Sequence, residues 1–211
     1  MKHLILLLVL LTSSAVFSQY YPAKILMTTG DIKEGFAKLP SNKMLDNKIE
    51  FKTTKNGTRI DLDEDGIYQI LYTADTGTQF LFERSQAVHL FKSFGKEVEV
   101  EKANKHWMLL IHQNPALNEY SLAQRYKIDK KGRMVSIVGN GSFWTTIYFL
   151  FRKPDAENAY IVSGKGFTHG QVRKAMAIFF KDTPAFVARI EKKEFKNWDV
   201  HKVADAYYNS L

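Results

Sequence analysis

The hydrophobic and polar residues of this chain follow two different periods. From residue 22 to about 163, apolar positions alternate with polar ones or form short runs bounded by turn residues, which is typical of β-strands. From residue 168 to 210 they recur at intervals of three and four, as in amphipathic helices. The sequence therefore predicts an α+β fold. We expect a mostly antiparallel twisted sheet or partly open barrel, with three carboxy-terminal helices packed on it.

The alternation and the turn signals place the strands. They are predicted at residues 23–29, 32–39, 48–52, 59–62, 67–72, 79–83, 87–92, 97–101, 106–112, 122–128, 134–138, 143–152 and 159–163. Asn56-Gly57 predicts a two-residue hairpin turn, and residues 130–132 predict a second turn. Tyr68, Ile70 and Tyr72 share one strand face by alternation. Residues 143–151 are almost entirely apolar, which favours a strand covered on both faces or by the helices.

Capping residues mark the start of each helix. Thr168 with Gln171 three positions later forms a capping box. Pro184 is placed to begin a second helix, and Asp199 to cap a third. Each helix has one apolar face, so each needs the sheet or another helix to cover it.

The amino terminus has the parts of a secretory signal peptide. Lys2 and His3 precede an apolar run at residues 4–11, and Val16 and Ser18 are small enough for cleavage after residue 18. The run is shorter than the roughly 20 residues of a spanning helix. We expect residues 1–18 to be removed and residues 19–211 to form a single domain without a transmembrane segment. Its expected location is the periplasm, the outer-membrane surface or the extracellular space.

The charge and the cysteine content narrow the class of partner. The chain has a formal net charge of +8 and no cysteine. A basic exported protein is attracted to anionic polysaccharide, lipid phosphate or an acidic protein. Nucleic acid is not expected, because the compartment is wrong and no nucleic-acid-binding motif is present. Without cysteine, disulfides and thiolate chemistry are excluded, so the core must supply the stability.

Short motifs near both ends resemble those of a group of uncharacterised exported proteins of Bacteroidota. The matching motifs are Thr29-Gly30-Asp31 between two strands, Asn56-Gly57, Asp182-Thr183-Pro184 and Tyr208-Asn209. They lie within residues 22–75 and 168–210. Thr183 stands where that group usually has Cys, so no role of that Cys carries over. The resemblance implies export and no particular activity.

An acidic segment matches the first half of a calcium-binding loop. Asp61, Asp63 and Asp65 alternate and are followed by Gly66, as in the D-x-D-x-D-G pattern that brings carboxylates to one ion. The twelfth position is Tyr72 instead of glutamate, and the flanks predict strands instead of helices. The three aspartates are candidate calcium ligands, and the alternative is a solvated acidic turn between two strands.

A glycine-rich segment between the last strand and the first helix is a candidate anion site. Gly164, Lys165 and Gly166 have neither the G-x-G-x-x-G spacing nor a following Walker motif, so no dinucleotide or other cofactor is expected. A helix amino terminus attracts anions, and Lys165, Gly166 and His169 lie beside it. The alternative is a flexible connection into a capped helix.

The remaining polar and aromatic residues form no recognisable catalytic set. His106 and His112 share a face of a regular strand, but about 20 Å separates residues six apart in a strand, too far to ligate one metal. Ser142 lacks the nucleophile-elbow spacing. Trp107, Trp144 and Trp198 suit either core packing or a sugar-binding face.

These patterns favour a non-enzymatic binding or accessory protein of the cell envelope, with an envelope protein or anionic polymer as partner. One alternative is an extracytoplasmic hydrolase whose carboxylates meet only in the fold, and a deep pocket with two such groups would favour it. The other alternative is a module that binds an anion or a polysaccharide.

Overall fold

A computed structural model describes residues 19–43, 47–139, 146–195 and 199–211. Its elements are β1 (Tyr20–Met27), β2 (Ile32–Lys38), β3 (Lys48–Lys52), β4 (Ile60–Asp63), β5 (Ile67–Thr73), β6 (Gln79–Ser93), β7 (Lys96–Gln113), β8 (Asn118–Leu122), β9 (Arg125–Ile128), β10 (Met134–Ile137), β11 (Tyr148–Arg152), β12 (Asn158–Gly164), α1 (His169–Phe179), α2 (Pro184–Glu191) and α3 (Val200–Tyr208). The predicted leader, Ser142, Trp144 and Trp198 lie outside the described residues. Strands precede helices, which confirms the predicted α+β order.

Most of the strands belong to one sheet that partly closes on itself. The sheet order is β12-β11-β8-β7-β6-β5-β1-β2-β3-β4, while β9 and β10 form a separate hairpin. Strand β12 also pairs in parallel with β6. Strands β6, β7, β8, β11 and β12 therefore close into a small barrel, and the other five strands of the sheet extend from it. The remaining pairings between described strands are antiparallel, as predicted.

Two long strands give the barrel its shape. The separate strands predicted at 79–83 and 87–92 are one strand, β6, and those predicted at 97–101 and 106–112 are one strand, β7. No glycine or proline interrupts either strand, and a register shift between Gln86 and Val88 bends the pair instead. Because of this bend, the first half of β6 pairs with β5 and the second half with β12.

The strand predicted at 122–128 divides where the chain leaves the sheet. Asn42 donates through Nδ2 to the carbonyls of Trp107 (2.9 Å) and Ala123 (2.8 Å), and its Oδ1 accepts from the Trp107 amide. The Tyr126 hydroxyl accepts from the Ala123 amide at 3.0 Å. These buried side chains satisfy the backbone groups that no longer have a hydrogen-bond partner in a neighbouring strand.

Three local predictions were wrong in detail. Strands β3 and β4 form the expected hairpin, but residues 53–59 connect them instead of a two-residue turn. Ile70 and Tyr72 are buried, whereas Tyr68 is half exposed, because a register shift between β1 and β5 puts Ile67 on the buried side. A further shift in β7, before His112, puts that residue on the opposite face from His106.

The barrel separates three apolar clusters. Its interior holds Ala87, Met108, Tyr120, Leu122, Leu150, Ala159 and Ile161. One outer side, with Phe151, packs against the three helices, and the other, with Trp107, packs against the extended sheet and the β9–β10 hairpin. Since Leu150 faces inward and Phe151 outward, β11 is covered on both faces, as predicted for this apolar strand.

The helix starts are those that the caps predicted. Thr168 and Gln171 form the capping box of α1, Pro184 opens α2, and Asp199 accepts from the Lys202 amide at 3.4 Å at the start of α3. Phe180 and Phe186 join the helices through rings 4.8 Å apart. Across the described residues, no helix combines the length and apolar character that crossing a lipid bilayer requires.

Candidate functional site: a cationic barrel mouth

Basic and aromatic side chains gather at one end of the barrel interior. We call His89, Lys102, His106, Tyr148 and Phe167 the mouth cluster; all five are partly buried. Strand alternation points His89 to the same face as the buried Ala87, and His106 to the same face as Met108. Tyr148 begins β11, and Phe167 lies between β12 and α1. The cluster thus comes from four separate parts of the chain.

Ring contacts hold the cluster together. The Lys102 ammonium lies 4.8 Å from the centroid of the Tyr148 ring, within the range of a cation–π contact. Phe167 meets Tyr148 edge-on at 6.1 Å, and His89 stacks on Phe167 at 5.9 Å. The mouth therefore combines aromatic surface with positive or protonatable groups.

The electrostatics of the mouth favour a negative charge. Burial lowers the pKa of Lys102. Burial and the Lys102 charge lower the pKa of His89, and burial with the charges of Lys102 and Arg84 lowers the pKa of His106 to about 4. All three groups are shifted towards the uncharged form, as happens where cationic groups are partly desolvated and lie close together. A bound anion would oppose these shifts.

The predicted anion loop lies at the rim of this mouth. Gly164 pairs with Tyr148, and the Lys165 amide donates to the Ile147 carbonyl at 3.0 Å. Lys165, Gly166 and His169 are all exposed. Gly166 has φ +94°, a left-handed conformation that favours glycine. Lys165, Gly166 and His169 thus border the mouth cluster, while its partly buried lysine, Lys102, comes from β7.

The opposite end of the barrel interior is closed by a buried ionic group. The Tyr120 hydroxyl donates to Glu83 Oε2 at 2.6 Å, and Arg152 Nη2 donates to the same oxygen. Asn118 Nδ2 donates to the Tyr120 hydroxyl at 3.2 Å. We call these four residues the floor cluster. Apolar side chains fill the barrel between the mouth cluster and the floor cluster.

The three candidate calcium ligands each have a different partner. Asp61 accepts from Arg59 at 2.6 and 2.9 Å, Asp63 caps a 3-10 turn by accepting from the Asp65 amide, and Asp65 accepts from Arg84. No group of three or more His, Asp or Glu side chains that could hold a metal ion occurs in the part of the chain that the structure describes. The segment joins β4 to β5, and its geometry gives the calcium prediction no support.

Two surface clefts contain carboxylates. In a cleft of about 310 Å³ between the start of β1 and the β9–β10 turn, Asp75 and Asp129 both line the wall. Backbone amides and Arg133 lower the pKa of Asp129, which is the reverse of what a general acid needs. In a second cleft, of about 170 Å³, Glu99 and Asp182 are paired with Lys181 and Lys153. Three of the four carboxylates that line these clefts are therefore paired with cations.

A second polar cluster fastens α3 to the β7–β8 hairpin. Buried Glu119 lies 2.6 Å from His201 Nδ1, and His112 Nε2 lies 2.8 Å from Asp205. The two imidazole rings are 5.5 Å apart. Burial raises the pKa of Glu119 to about 8, His112 opposes this, and neighbouring aspartates add to it. We call this group the helix seam; its paired residues lie more than 80 positions apart, so local spacing could not reveal it.

Comparison with known proteins finds no matching family model, no matching curated protein and no matching solved structure.

Proposed function

We propose that this protein is a non-enzymatic binding protein of the cell envelope, and that it holds an anionic ligand at the mouth cluster. The single observation that carries the proposal is the partly buried Lys102, placed over the Tyr148 ring at one end of the barrel. An acidic saccharide, with carboxylates for the cations and sugar faces for the rings, is the ligand class that this combination fits.

The energetics support binding at this place rather than elsewhere on the basic surface. An exposed lysine already has water around it, so an anion gains little from pairing with it. Lys102 has lost part of its water, and an anion there restores favourable interactions to a charge that is already desolvated. The exposed Lys165 and His169 at the rim would add long-range attraction.

Binding rather than hydrolysis is favoured by the state of the carboxylates. Of the carboxylates that line the two clefts, Glu99, Asp129 and Asp182 are paired with cations, and the floor carboxylate of Glu83 lies behind the packed interior. The envelope location rests on the predicted leader. Fractionation of cells producing the tagged full chain tests it: release with the extracytoplasmic fraction is expected, and retention in the cytoplasm would contradict it.

Replacing Lys102 by methionine is expected to weaken binding of an oligogalacturonate probe by about tenfold or more, because a charge-assisted contact in a partly dry site is lost. Lys33→Met is the matched control, since Lys33 is exposed on β2 and its loss changes the net charge equally. We expect the control to change affinity less than about twofold. Titration calorimetry measures both.

Two outcomes would contradict the proposal. Equal losses for the two variants would show that binding depends only on the overall charge. Absence of binding to oligogalacturonate, to a sulfated glycan and to inorganic pyrophosphate would show that the mouth is not an anion site.

A further inference from the structure

The hairpin between β6 and β7 ends in an exposed phenylalanine. Ser93 pairs with Lys96, so Phe94 and Gly95 alone form the turn. Both have positive φ, +49° and +78°, as in the two-residue turns that favour Asn-Gly. The Phe94 side chain is fully exposed, at 102%. A left-handed conformation is unfavourable for phenylalanine, so neither the turn nor internal packing explains its presence there.

Strict alternation gives the two faces of this hairpin opposite characters. Val98 and Val100 lie on the face that also carries Phe91 and Lys96, whereas the glutamates of β7 lie on the other. Val100 is 48% and Phe91 37% exposed, so this apolar face is turned outward. We call Phe91, Phe94, Lys96, Val98 and Val100 the hairpin face.

The acidic side of the hairpin is directed towards the protein. Glu99 lies 3.7 Å from Lys181, just after α1, and lines the cleft beside that helix. The hairpin face itself contains no carboxylate, and Lys92 and Lys96 flank the turn. Lys92 lies on the other face, opposite the exposed Glu97, so on the hairpin face the tip presents the Phe94 ring beside Lys96, with apolar side chains behind them.

We propose that this tip docks on an anionic lipid surface, with Phe94 entering the headgroup region and Lys96 contacting lipid phosphates. Aromatic rings favour the interface of a bilayer, and basic residues add attraction to anionic headgroups. A protein partner fits less well, because a two-residue tip is small beside the roughly 1,200 Å² or more that a stable protein interface buries. The hairpin face borders the mouth cluster, since His89 pairs with Val100 and its ring lies 5.7 Å from that of Phe91, but Phe94 lies at the far tip.

Co-sedimentation of the purified mature protein with vesicles tests the proposal. We expect binding to vesicles of phosphatidylcholine mixed with phosphatidylglycerol, and little binding to phosphatidylcholine alone. Phe94→Asn should weaken the binding about tenfold or more, because the inserted ring is lost. Asparagine tolerates the left-handed turn, so this variant is expected to fold. Tyr208→Ser, which removes a 43% exposed aromatic residue from the end of α3, is the control and should bind as the parent does.

The position of the ring gives a second readout. A Phe94→Trp variant should show a blue-shifted emission with anionic vesicles and none with phosphatidylcholine. No binding to anionic vesicles, equal binding to both vesicle types, or equal loss in Phe94→Asn and Tyr208→Ser would each overturn the proposal. Because Phe94 is outside the mouth, Phe94→Asn should leave oligogalacturonate binding unchanged, so the two proposals fail separately.

Discussion

Replacing Arg152 with methionine is expected to lower the free energy of unfolding by about 3–5 kcal/mol, the usual effect of removing one partner of a buried ion pair. Arg152 and Glu83 are each only 8% exposed and lie at the floor of the barrel. Without the guanidinium, the Glu83 carboxylate stays buried with only the Tyr120 hydroxyl to stabilise it. Urea unfolding followed by circular dichroism measures the change.

A double variant tests whether the loss of stability comes from the unpaired charge of buried Glu83. Glu83→Gln combined with Arg152→Met removes both charges, so we expect it to be more stable than Arg152→Met alone. Arg125→Met, on the exposed side of β9, is the matched control and should change stability by less than about 0.5 kcal/mol. A loss in Arg152→Met no larger than that of the control would show that the floor cluster is not a buried ion pair.

The second large effect concerns the pH dependence of stability at the helix seam. Burial raises the pKa of Glu119 to about 8 in the folded protein, from an ordinary value of 4.5. Between these two values the folded state holds a proton that the unfolded state has released. Since the folded state binds more protons in this window, its stability falls as pH rises from about 5 to 8. One pKa unit corresponds to about 1.4 kcal/mol, so we expect a loss on the order of 2–4 kcal/mol from this group.

Glu119→Gln is the direct test, because glutamine mimics the protonated carboxyl and still offers an oxygen to His201. The variant should lose most of the pH dependence and be more stable than the parent at pH 8. Asp205→Asn is the control: it changes the group facing His112 but leaves the Glu119 carboxyl in place, so most of the slope should remain. An unchanged slope in Glu119→Gln, measured by urea unfolding at several pH values, would contradict the assignment.

The sequence pattern predicts the fold correctly where interactions between residues close in sequence determine it. Capping residues such as Thr168 and Asp199, and the turn before Arg133, act within a few positions and were placed correctly. The sequence pattern did not predict that β6 and β7 are each one long strand. Alternation alone does not show whether a strand continues through a polar stretch. Register shifts were also invisible, so Tyr68 and His112 were assigned to the wrong faces.

The candidate site was harder to foresee, because closure of the barrel creates it. Parallel pairing of β12 with β6 brings Phe167 to His89, residues that are distant in sequence. The loop at Lys165 was singled out for its glycines and lies at the rim, but Lys102 was not. One signal was available: the alternation of glutamate and valine from residue 97 to 101 places Lys102 with the valines, on the face without acids.

The most direct test of the account is the titration of His106 by NMR, with and without the oligogalacturonate probe. The free protein should show a pKa of about 4 for this imidazole, because burial and the Lys102 and Arg84 charges oppose its protonation. An anion bound at the mouth lowers the positive potential there, so the pKa of His106 should rise in the complex, and it should rise less in Lys102→Met. A probe that binds while the His106 titration stays unchanged would place the ligand elsewhere and contradict the proposed function.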